Sequence, residues 1–227
     1  MSDFQERVLS LSPKRLMLLA LDLQSRIDEL EKRQSEPIAV IGIGCRIPGA
    51  EDGPDGFWRL LEQGKDAIGE VPPDRWDAEA YYDANIDSPG RMYTKRGGFL
   101  SQIDQFDAPF FGIAGREAVG MDPQQRMLLE VCWEAVEHAG HSPRKLAGTA
   151  TGVFVGICSS DYQTMLLAMG DEAIDGYLAS GTSASIAAGR ISYTLGLQGP
   201  SMAIDTACSA SLVAIHLALP RAEAAAG

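Results

Sequence analysis

The chain has 227 residues, with 19 Lys plus Arg against 31 Asp plus Glu for a net charge of −12, and 45% of it is hydrophobic. That acidity repels a phosphate backbone and argues against a nucleic-acid role, while the apolar share argues against wholesale disorder. Residues 1–7 carry no basic stretch leading into an apolar one, and no apolar run reaches membrane-spanning length, so a cytoplasmic protein with no membrane partner is expected.

Four cysteines, Cys45, Cys132, Cys158 and Cys208, are widely spread without a CxxC pair. This spacing gives neither a zinc site nor a disulfide framework. Each thiol is read singly, as a small buried residue or as a nucleophile.

Residues 12–34 predict a helix, with Ser12 as cap and Pro13 in the first turn. Leu16, Leu23 and Leu30 recur every seven residues, with Leu19 and Ile27 beside them. The stripe reads as a short coiled coil or docking helix, or as an amphipathic helix packed on its own domain. A break at 34–37 sets residues 1–36 apart as a helical docking or linker segment from a globular part at 37–227.

Residues 38–44 read as a buried strand running into a glycine turn. Gly42-Ile43-Gly44 resembles the start of a dinucleotide fingerprint, but Ile47 stands where the third glycine belongs and Pro48 follows where a helix should run. Residues 55–64 predict a short helix. Residues 66–116 form a long loop-rich excursion of the kind that carries interfaces or surrounds sites.

The clearest helix begins at Asp122, with Pro123 in its first position and Gln125 completing a capping box, and Gly140 stops it. Cys132 lies within its apolar stripe and reads as core. A buried strand at 151–157 ends at Cys158. A helical region covers 182–195, a strand follows at 201–205, and a last helix runs from about Cys208 to Leu219. Strands and helices alternate, which makes the class α/β.

The decisive stretch is Asp205-Thr206-Ala207-Cys208-Ser209-Ala210. A strand turns into a helix at Cys208, where free N–H groups and the helix dipole favour a thiolate and offer an oxyanion site. The local pattern fits a nucleophile and a buried strand-end cysteine equally. The helix after it is apolar nearly all round, which predicts a place deep in a core. Cys158, followed by loop residues, is the weaker rival. His216 comes eight residues after Cys208, ~12 Å along a helix and beyond hydrogen-bond reach. His138 and His141 flank a helix end and read as surface or capping residues, so no Cys–His pair is assigned.

Several segments together resemble the β-ketoacyl synthase family, and within it the ketosynthase of type I modular polyketide synthases. They are residues 37–42 with Cys45 and Arg46, then 71–76, 106–111, 121–126, 188–193 and 199–209, in the family's order. The resemblance implies a thiolase-like layered α-β-α-β-α fold, with only its N-terminal half present, preceded by the coiled-coil-like helix. It implies a homodimer, with an upstream synthase subunit as a possible partner of residues 12–34.

The same resemblance implies that Cys208 accepts an acyl chain from the phosphopantetheine arm of a partner acyl carrier protein. Decarboxylative Claisen condensation with a malonyl-type extender then follows, and no cofactor or metal is bound directly. The family's two histidine runs, His-Gly-Thr-Gly-Thr and Asn-Ile-Gly-His, are absent from this sequence. The expectation is therefore a truncated domain, inactive in condensation. Pro220 is expected to break the Cys208 helix early, and the uncovered apolar helix is expected to favour aggregation.

Overall fold

The computed structural model describes residues 8–35 and 37–225. The chain divides into two compact units, Met1–Val40 and Ile41–Gly227. In the first, helix α1 (Pro13–Ser35) begins where Ser12 O accepts from Leu16 N at 3.0 Å. Leu16, Leu23 and Ile27 of the heptad stripe are exposed, and Leu19 is half-buried. The side chain of Leu30, and Glu36 within the expected break, lie outside the described residues.

The second unit opens with helix α2 (Pro54–Glu62). The loop-rich excursion after it holds a two-residue strand β1 (Gly69–Glu70), a single turn α3 (Ala78–Tyr81) and strand β2 (Arg96–Gly97). β1 and β2 pair antiparallel, and the excursion is tied by Lys95, which reaches Glu79 at 2.7 Å and lies over the Tyr82 ring. Helices α4 (Gly115–Gly120) and α5 (Pro123–His138) follow. Strand β3 (Val153–Gly156) then leads through α6 (Asp161–Ala168), α7 (Leu178–Thr182) and α8 (Ala184–Leu195) to strand β4 (Ser201–Ile204) and helix α9 (Ala210–Ala225).

β3 and β4 pair in parallel, Val153 against Ser201 through Gly156 against Ile204. A parallel pair needs a crossover, and α6 to α8 supply it. The core gathers Val153 and Val155 of β3 and Ile157 just past it with Leu129 of α5 and Ala187, Ala188, Ile191 and Leu195 of α8. Alternation explains this: Val153 and Val155 are buried while Gly156 is open. Beside the core, Phe106 stacks on Phe111, and Phe110 meets the Trp133 edge.

Four sequence expectations are corrected. The 38–44 segment forms no strand ladder among the described residues. Its Ile38, Val40, Ile41 and Ile43 are exposed rather than buried. A Cβ on Gly42 would come 2.1 Å from Ala135 O, and one on Gly44 2.2 Å from Val131 O. These glycines let the chain lie directly on α5.

The second correction concerns Gln125. Asp122 does cap α5, its Oδ1 accepting from Gln124 N at 2.8 Å. Gln125, however, does not close a capping box. Its side chain is buried, donates to Ser183 O and accepts from Arg190 Nε at 3.1 Å. Packing against α8 has taken the side chain that the local motif would have used.

Helix α9 supplies the other two. It runs through Pro220 to Ala225, since a proline deletes one helical hydrogen bond without forcing the chain to stop. It also does not lie deep in the core. Ala210 and Ala214, one turn apart on one face, are buried, while Leu212 is 72% exposed and Ile215 57%.

Candidate active site

Cys208 sits in a single 3-10 turn, Ala207–Ser209, between β4 and α9. Ala207 has φ 51°, a left-handed conformation that a residue with a Cβ adopts at a cost of order 1–2 kcal/mol. Local hydrogen bonds hold the turn. Asp205 Oδ1 accepts from Ala207 N at 3.0 Å, and Ser209 Oγ donates to Thr206 O at 2.8 Å. Asp, Thr and Ser suit this turn because their short polar side chains bond to nearby backbone.

The turn places the thiol two residues ahead of a 16-residue helix. Cys208 is exposed, and no hydrogen bond to its backbone N–H is found among the described residues. Such a donor next to the sulfur suits an oxyanion formed there.

Glycine sets the height of this helix. A Cβ on Gly156 would stand 2.8 Å from both the carbonyl carbon of Ala210 and Ser211 N. The sequence marks a strand here, yet the need for glycine at its end is a tertiary demand. A glycine inside a strand pattern is the one available signal of such a close approach.

The other candidates are placed apart. Cys132 is packed against the core, and burial pushes its thiol up to about 11. Cys158 is exposed at the end of β3, and Cys45 is half-buried. Cys45 lines a cavity of about 330 Å³ with Met127, Leu128, Gly156 and Ile157, and Cys208 is not in that lining. His138 Nδ1 accepts from Ile43 N at 3.0 Å. His141 and His216 are exposed. No histidine is hydrogen-bonded to Cys208, and no group of three metal-ligating side chains occurs, among the described residues.

A further cluster escapes sequence reading. Arg190 of α8 reaches Glu117 of α4 at 2.5 Å, Gln125 of α5 and Ser180 O of α7. It locks four helices behind the strand pair. Its members lie up to 73 residues apart, so no local pattern reveals it.

With this geometry established, comparison with known proteins defines the class. The family profile described as "Beta-ketoacyl synthase, N-terminal domain" matches residues 35–223, and the chain belongs to that family. One of the phenolphthiocerol/phthiocerol polyketide synthase proteins of Mycobacterium tuberculosis is 55% identical over 218 residues, covering 96% of this chain and 12% of the relative. A pikromycin polyketide synthase component of Streptomyces venezuelae is 51% identical over 199 residues, covering 87% and 5%.

Among solved structures, the oxazolomycin ketosynthase domain of a Streptomyces albus strain superposes with TM-score 0.73 at 41% identity, covering 82% of this chain and 32% of that one. A ketosynthase of the Bacillus subtilis bacillaene synthase gives 0.67 at 40%, covering 79% and 28%. The fold is therefore part of the thiolase-like ketosynthase fold. The chain spans about a third or less of the solved ketosynthases it matches and 12% or less of the two curated synthases named above. No described helix is long and apolar enough to cross a membrane.

Proposed function

We propose that this chain is the cysteine-bearing N-terminal part of a polyketide synthase ketosynthase and that Cys208 is its acyl-accepting nucleophile. The observation that carries the reading is the exposed thiol on the strained Ala207 turn, directly ahead of α9. Strain of this kind concentrates where a side chain must be presented.

Cys208 Sγ adds as thiolate to the carbonyl carbon of an acyl thioester brought by a partner acyl carrier protein on its phosphopantetheine arm. The oxyanion collapses, the bond to the carrier's sulfur breaks, and that sulfur leaves as the thiol after taking a proton. In the whole enzyme the acyl group then joins a decarboxylated malonyl-type extender by Claisen condensation. The family's two histidine runs are not in this sequence, so the chain alone accepts an acyl group without condensing it. The test supplies the purified chain with an acyl-carrier thioester and a malonyl-carrier thioester. An acylated protein with no β-ketoacyl product is expected, and a new carbon–carbon bond would contradict the account.

A second reading, as a docking or dimerisation piece of a synthase assembly, draws on α1. Leu23 and Ile27 are 45% and 46% exposed in the single chain, an unpartnered stripe that a second copy or an upstream synthase protein would cover. Light scattering of the full chain against a Leu23→Glu variant tests it. Association lost in the variant supports pairing, and a monomer in both cases ends it.

A further inference from the structure

We propose that Cys158 is a resolving thiol for Cys208: peroxide joins the two in a disulfide that reversibly blocks acyl acceptance. The proposal rests on the reading of Cys208 as a reactive thiol.

Cys158 and Cys208 are the two exposed thiols among the four, while Cys45 and Cys132 are half-buried. The sheet register sends both segments out of the sheet at the same end. Gly156 pairs with Ile204, neighbouring parallel strands lie about 4.8 Å apart, and both strands leave the sheet at the same end. From Gly156 the chain runs two residues on to Cys158. From Ile204 it runs out through the Ala207 turn and returns so that the backbone of Ala210 and Ser211 rests on Gly156. Cys208 lies on that short arc, and both ends of the arc touch Gly156.

The Cys158 segment is pinned on both sides. Ile157 N donates to Ile204 O at 3.1 Å, and Ser159 Oγ is held by Gln124 Nε2 at 3.2 Å. Cys158 and Cys208 therefore both follow the same end of the strand pair, and both are open to solvent.

The chemistry balances with peroxide as the oxidant. Cys208 thiolate attacks one peroxide oxygen, the O–O bond breaks, and hydroxide leaves to become water. The resulting sulfenic acid is attacked at sulfur by Cys158 thiolate. An S–S bond forms, the S–O bond breaks, and a second water departs. Two thiols are oxidised and one peroxide is reduced, and a thiol reductant reverses the step.

The test treats the full chain with hydrogen peroxide and maps its peptides without reduction. The expected result is a peptide pair joining Cys158 to Cys208, ~2 Da lighter than the two thiols, with acyl acceptance lost and then restored by dithiothreitol. The reduced Cys158→Ser variant accepts acyl groups as the parent does. After peroxide it gives a dimedone adduct at Cys208, and it loses acceptance permanently on longer exposure. Equal dimedone adducts in parent and variant, or a bridge found only between two chains, would overturn the resolving role and leave the reactive Cys208 standing. Absence of both acyl and dimedone adducts on Cys208 would remove the reading beneath it as well.

Discussion

A side chain on Gly156 would collide with Ala210: a Cβ there stands 2.8 Å from the carbonyl carbon of that residue. Strand β3 and the start of α9 touch backbone to backbone, and the position of Cys208 follows from that contact. Gly156→Ala gains about 0.5–1 kcal/mol from a less flexible unfolded chain. Forcing a methyl against backbone atoms costs typically 1–3 kcal/mol, so the clash wins. We expect a lower unfolding midpoint in urea and slower alkylation of Cys208 than of Cys158, reversing any advantage in the parent chain.

Ala207 offers a finer test. At φ 51° a glycine removes the left-handed penalty but adds unfolded-chain entropy, so Ala207→Gly should change stability by less than about 1 kcal/mol. A β-branched residue suffers most there, and Ala207→Val should lose about 1–2 kcal/mol beyond alanine. Equal stability of the glycine and valine variants in urea would show that the turn is not strained.

These two residues show what the sequence carries and what it hides. The turn at Asp205–Ser209 is legible because Asp, Thr and Ser bond locally to backbone, and the strand-to-helix switch sets off the cysteine. The depth of α9 is not legible. Its apolar composition suggests burial all round, yet two small residues, Ala210 and Ala214, make the buried contact and the larger ones remain open. Gln125 misleads for the same reason, because a capping box is local and the pull of Arg190 is not. The 38–44 segment has strand composition, but strand formation needs a neighbour, and composition cannot say whether one is there.

The Arg190 cluster predicts an asymmetry. The Arg190 and Glu117 side chains are 11% and 23% exposed, so removing one leaves the other charge without its partner. Arg190→Ala should cost about 3–5 kcal/mol, while Arg190→Met with Glu117→Leu should recover most of that loss. A double variant no more stable than Arg190→Ala in chemical denaturation would show that the network's backbone bonds, rather than its charge pair, dominate.

Cys132 gives a pH dependence. Burial raises its thiol from about 9 to about 11, so the folded state holds the proton more tightly than the unfolded one. Its contribution is intact below pH ~9 and is lost as pH rises toward ~11. Cys132→Ala should flatten the fall in stability across that window. An unchanged alkaline profile would place the dependence elsewhere.

The most direct test of the account is the site of acylation. The chain is incubated with an acyl-pantetheine thioester, digested and mapped by mass spectrometry, beside its Cys208→Ala variant. An acyl group on Cys208 and none on the variant is the expected result. An adduct on Cys45 or Cys158 in its place, or no adduct on a folded chain, would contradict it.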